Sequence, residues 1–147
     1  MKGPASRPCG SCPYRQDVPS GVWDASEYAK LPAYDKDTPD QPSGLFLCHQ
    51  QNGALCSGWV GCHDMQNSLA LRLAVATETI DVETAAQVVD YTSPVPLFET
   101  GAQAAEHGLA DVENPGEKAD RTIRKLIRRR DRRELGRSHP EPTEGQI

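Results

Sequence analysis

The sequence predicts a mainly α-helical protein with one small β-hairpin: an N-terminal half organised by a metal, followed by a helical C-terminal half. Three observations lead there. All five cysteines lie within residues 1–63. Residues 45–59 carry two short apolar runs about Asn52-Gly53, the strongest short hairpin signal. Beyond residue 63 apolar side chains recur at helical spacing.

The elements follow in order. Asp24 can cap a short helix over residues 24–31, with Glu27 at the capping-box position and Pro32 as the stop. Residues 34–44 are polar and broken by prolines, which describes a surface loop. The hairpin comes next. A helix over residues 64–77, capped by Asp64, turns a stripe of Leu69, Leu73 and Ala76 inward, widened by Leu71 and Val75. Another spans residues 82–91 behind the cap Asp81, and a third follows Phe98 and ends near Gly108. The last opens with Asn114-Pro115-Gly116-Glu117 and runs to Gly136, leaving a polar tail over 137–147 that is expected to be disordered. Residues 1–63 and 64–136 are expected to form one domain overall, as the length of 147 residues suggests.

The chain is 37% hydrophobic and 5% aromatic with 12 prolines and 12 glycines, too little apolar side chain for a large core but too much for a disordered chain. No apolar run approaches the roughly 18 residues of a membrane span, and residues 1–8 hold no signal-peptide core, so the expected location is the cytoplasm. Thiols stay reduced there, and an odd number cannot close into disulfides, which points the cysteines toward metal or thiol chemistry.

Cys9-x2-Cys12 is half of a metal-binding pattern: its tight loop sets two sulfurs about one tetrahedron edge apart. The hairpin supplies the other half in one of two registers. With a three-residue turn, Gln51-Asn52-Gly53 with Gly53 left-handed, Cys48 faces Cys56 and the site is Cys9, Cys12, Cys48 and Cys56. With a two-residue turn His49 replaces Cys48. The first register is preferred because it gathers Leu45, Leu47, Leu55 and Trp59 on the core side, at the cost of leaving Phe46 out. Cys62 and His63 are further alternates, as ligands or as a nucleophile and its base, although His63 also reads as a polar residue ahead of the next helix. His107 and His139 read as solvated. Zinc is the expected ion; an iron–sulfur cluster, hinted at by Pro13 after Cys12, is the alternative. A redox role for Cys9-Gly-Ser-Cys12 lacks the strand and helix that frame thioredoxin-like sites.

The combination Pro8-Cys9-Gly10-Ser11-Cys12-Pro13-Tyr14-Arg15, Gly21-Val22-Trp23, Phe46-Leu47-Cys48-His49 and Cys56-Ser57-Gly58-Trp59 resembles a family of small actinobacterial and actinophage proteins of unknown function. The resemblance covers roughly residues 7–75; it implies a shared cysteine-rich module and no activity. A partial likeness to the WhiB-like iron–sulfur regulators, through Cys12-Pro13-Tyr14-Arg15, Gly21-Val22-Trp23 and a basic C-terminal segment, implies iron. The cysteine order differs from that family's.

Charge is unevenly placed. Residues 121–137 hold nine Arg or Lys against Asp131 and Glu134, a net of +7; with −5 overall, the other 130 residues carry −12. Arginines this dense fit phosphate, which makes Arg121, Arg124, Lys125, Arg128, Arg129 and Arg132 candidate nucleic-acid contacts. The competing reading is a solvated helix end neutralised by the acidic body. No phosphate loop, H-E-x-x-H or serine constellation is present, so an enzyme is not the favoured reading. The expectation is a zinc-stabilised binding or adaptor module with a nucleic-acid or protein partner, no membrane association and an oligomeric state left open. The alternative is an iron–sulfur sensor or regulator contacting nucleic acid.

Overall fold

A computed structural model describes residues 1–50 and 53–138. Among these residues there are six α-helices: α1 (Ala25–Ala29), α2 (Ser57–Cys62), α3 (Leu69–Ala76), α4 (Val82–Asp90), α5 (Gly101–Leu109) and α6 (Glu117–Ser138). Short 3-10 turns lie at Leu31–Asp35, Thr38–Asp40 and Met65–Asn67. Helices dominate, as expected.

The hairpin does not form, and no strand exists among the described residues. Only an isolated antiparallel bridge joins Leu47 to Leu55, with the Cys48 N–H donating to the Ala54 carbonyl (2.9 Å) and the Cys56 N–H to the Phe46 carbonyl (3.0 Å). Its register sets Cys48 opposite Ala54 and Phe46 opposite Cys56, two residues from the expected pairing. Because side chains alternate along extended backbone, a two-residue offset keeps Cys48 and Cys56 on one side. Gly53 is left-handed (φ 75°), as expected, while Gln51 and Asn52 lie outside the described residues. Leu55 and Trp59 are buried and Leu45 half-buried, as expected, but Phe46 and Leu47 exchange places: Phe46 is buried and Leu47 is 43% exposed.

The second apolar run becomes α2 instead of a strand. Its two glycines are there for packing. A Cβ on Gly58 would lie 2.2 Å from Cys12 Sγ, and one on Gly61 2.8 Å from Leu97 Cδ1. A helix this short shows too little of its period to be told from a strand.

Asp64 and Ser68 divide the next helix. Asp64 accepts from the Gln66 N–H to cap the 3-10 turn, and Ser68 accepts from the Leu71 N–H to cap α3. The buried stripe of α3 is Ala70, Leu71 and Ala74; Leu73 is 41% exposed, so the expected stripe is rotated. Asp81 caps α4 through the Thr84 N–H, as expected. At α1, by contrast, Asp24 occupies the cap position with no side-chain bond, and the Glu27 carboxylate, the other half of the capping box, pairs with His49 and Lys30.

One core surrounds Tyr14, Tyr28, Leu31, Leu55, Trp59 and Val88. The N-terminal segment is threaded between later parts of the chain: the Phe98 N–H donates to the Tyr14 carbonyl (3.0 Å), the Gln16 N–H to Pro96 (3.2 Å) and the Gly21 N–H to Gly108 (3.0 Å). His107, expected in solvent, is half-buried, hydrogen-bonded to the Val18 carbonyl (2.7 Å) and packed on Phe98. A second apolar cluster of Val18, Val22 and Ala119, with Trp23, Ile123 and Leu126, docks α6. The tail beyond Ser138, His139 included, lies outside the described residues.

Candidate metal centre

Residues 9–12 form a tight turn closed by the Cys12 N–H donating to the Cys9 carbonyl (3.0 Å). Arg15 braces it from outside, donating to the Pro8 carbonyl (3.1 Å) while its fork grips Asp17 (2.6 and 2.7 Å). Cys56 stands at the N-cap of α2 and Cys48 on the facing bridge segment. Helix, bridge and turn thus converge.

The four expected ligands meet as a chain of contacts. Cys12 Sγ lies 3.8 Å from Cys56 Sγ, Cys9 is in hydrogen-bond contact with Cys12 and with Cys48, and Cys9 Sγ lies 3.7 Å from Ser11 Oγ. Cys12 and Cys56 are buried; Cys9 and Cys48 are half-buried. Among the described residues no group of three or more His, Cys, Asp or Glu is gathered tightly enough to hold a metal ion. The sulfurs touch in pairs, in the order Cys48, Cys9, Cys12, Cys56, without converging on one point. The neighbouring Cys12 thiol, then burial, raises Cys9, and the Cys56 thiol and burial raise Cys12 further. Crowded in this way, the bare Cys9 and Cys12 thiols hold their protons.

A polar shell supports the turn. Ser11, 1% exposed, accepts the Trp23 indole N–H at its carbonyl (2.7 Å) and the Gln50 amide at its hydroxyl. Gln50 in turn takes Arg129 on its side-chain oxygen (2.6 Å) and Arg133 on its backbone carbonyl. Ser11, Trp23 and Gln50 therefore tie the cysteines to α6, a role with no local signature in the sequence.

The alternates are placed elsewhere. His49 Nε2 pairs with Glu27 (2.8 Å) and its ring lies on Trp23, centroids 4.5 Å apart. Cys62 and His63 line a separate cleft of about 400 Å³ with Tyr34, Asp35, Trp59 and Thr100. Asp35 there accepts the Gly101 and Ala102 N–H groups at the start of α5 (2.6 and 2.8 Å). Burial, with the charges of Asp35 and Cys12, pushes the Cys62 thiol up to about 12. His63 Nε2 faces the Tyr14 hydroxyl (3.3 Å) and Nδ1 faces Asp35 (3.6 Å). With the ring proton on Nδ1, toward the Asp35 carboxylate, Nε2 can accept from the Tyr14 hydroxyl, which burial keeps protonated. Neither group is set up as the thiolate and base that a cysteine nucleophile needs.

Desolvation holds the His63 imidazole below its ordinary value of 6.5, with the Asp35 charge opposing. The folded value lies under the unfolded one, so this neutral ring contributes its full stability above the unfolded value and loses it as pH falls through the folded one. Between about pH 7 and about pH 5, His63→Gln should therefore lose less of its urea midpoint than the parent protein does. An equal loss in both would remove His63 from the acid response.

This arrangement defines a small helical protein built on a turn of clustered thiols. The chain belongs to the family of unknown function DUF6283, whose profile matches residues 4–130. That span takes in the cysteine turn, all of α1 to α5 and α6 as far as Arg130. No curated protein and no solved structure matches, and the WhiB-like regulators are not among what the chain is similar to. No described helix is long and apolar enough to cross a membrane.

Proposed function

We propose that this protein is a small binding or adaptor module whose N-terminal half is locked by one structural zinc ion on Cys9, Cys12, Cys48 and Cys56. The observation that carries this is the 3.8 Å separation of Cys12 and Cys56 within an unbroken run of four thiols. Zinc–thiolate bonds of about 2.3 Å in a tetrahedron put neighbouring sulfurs about 3.8 Å apart. An iron–sulfur cluster spreads its cysteines over separate iron corners, farther apart than one tetrahedron edge. The Ser11, Trp23 and Gln50 contacts supply the outer support that holds such ligands in place. When bound, the ion would cross-link the turn to the start of α2 and supply folding energy, with all four positions closed to substrate.

Elemental analysis and an absorption spectrum of anaerobically purified protein test this. One zinc per chain is expected, with no visible absorption, and cobalt substituted for it should give the intense visible bands of a tetrahedral thiolate site. Cys62→Ser should keep that stoichiometry. Iron with sulfide and a brown colour would replace zinc by a cluster, and a folded protein that takes up neither would end the metal reading.

A further inference from the structure

We infer that the outer face of α6 is a docking surface for duplex DNA, a conclusion independent of the metal reading. At about 100° per residue, Arg121, Arg124, Lys125, Arg128 and Arg132 fall within one arc about 100° wide, opposite Ala119. Ala119 is 1% exposed, and with Ile123 and Leu126 it packs on Val18, Val22 and Trp23. Arg129, counted among the candidate contacts from sequence, belongs instead to the inner side, where it and Arg133 hold Gln50. The docking of one face therefore turns a straight basic stripe outward, about 16 Å from end to end at 1.5 Å per residue.

Among the described residues no ion pair joins this stripe to the acidic body. Arg124 pairs with Asp120 (3.0 Å) and Arg130 with Asp131 (3.5 Å), both within the helix. Like charges at spacings of three and four along one face repel each other. A ligand that brings regularly spaced negative charge relieves that repulsion, and guanidinium groups match phosphate geometry. The −12 on the remaining 130 residues repels the same ligand, which confines its approach to the helix.

The form of the polyanion follows from what the stripe lacks and from its shape. It bears no aromatic side chain, whereas single strands are held largely by stacking. Its apolar content is confined to Leu135 near the end, too little for the apolar centre of a protein interface. A single helix fits the major groove of B-form DNA, about 12 Å wide, but not the narrow one of A-form RNA. Contacts of this kind go to phosphates and read no sequence.

The full chain titrated into a labelled random-sequence duplex, followed by fluorescence anisotropy, tests the inference. Five phosphate contacts give a slope of log K against log salt of at most about −4.5, so affinity should fall about 50- to 500-fold between about 50 and about 200 mM salt. Arg128→Gln with Arg132→Gln should weaken binding at least tenfold and flatten the slope by about 2, with an unchanged melting temperature. Lys36→Gln, a remote exposed cation, should change neither. No binding at low salt, or an equal loss in Lys36→Gln, overturns the proposal. So does tighter binding to single-stranded DNA, an RNA duplex or polyglutamate.

Discussion

Cys12→Ser is expected to release the proposed zinc ion and unfold the protein. The side chain is 1% exposed and sits in the middle of the thiol run, touching Cys9 on one side and Cys56 on the other. Serine is isosteric but a poor zinc ligand, and it buries a hydroxyl where a sulfur packed. Structural zinc contributes roughly 10–16 kcal/mol in small metal-dependent folds, while whole domains are stable by only about 5–15 kcal/mol. Losing even part of the first exhausts the second. Circular dichroism should show helix loss at ordinary temperature together with zinc content near zero. A Cys12→Ser protein with full zinc and an unshifted melting transition would remove Cys12 from the site.

Gly58→Ala is expected to destabilise by about 3 kcal/mol or more, at the upper end of the range for forcing atoms into a filled core. On helix propensity alone the sign is opposite, since alanine in a helix interior is better than glycine by about 1 kcal/mol. The added Cβ would lie 2.2 Å from Cys12 Sγ and 2.9 Å from Tyr14 Cβ. Tyr14 is fully buried and cannot retreat, so the sulfur must move, and with it the geometry of the proposed zinc site. Urea titration and a zinc-chelator competition should both weaken. Gly10→Ala, with nothing within 4 Å of its Cβ, is the matched control and should be close to neutral. Should Gly58→Ala be stabilising, helix propensity outweighs packing at this position.

What could be read from the residues themselves divides along the range of the interactions. Caps are local, so Asp81 was legible, as were the Cys9–Cys12 turn and the left-handed Gly53; α6 instead opens at Glu117, two residues past the expected start at Pro115, with Gly116 and not Asn114 ahead of it. The hairpin failed because Ser-Gly-Trp-Val-Gly-Cys looks like strand and turn, while its glycines answer to Cys12 and Leu97, 46 and 36 residues away. Phe46 and Leu47 exchanged places for a related reason. The core around them is built from Tyr14 and Tyr34, whose rings meet Phe46 edge-on at 5.9 Å, and a hairpin considered alone does not include those rings. His107, Asp35 and Gln50 take partners 66 to 89 residues distant, which no window of sequence displays.

The threading of residues 14–21 against residues 96–98 and 108 sets an order of events in the cell. A ribosome adding roughly 5–20 residues per second needs some 4 to 17 s to travel from Cys12 to Pro96. Until then Tyr14 lacks a backbone partner that completes its surroundings, and the early thiols ride on a nascent chain, open to oxidants and to whatever cations are at hand. Docking of residues 14–21 therefore waits until residues 96–98 and 108 have been made, and its yield should track the reducing power of the compartment in which translation takes place.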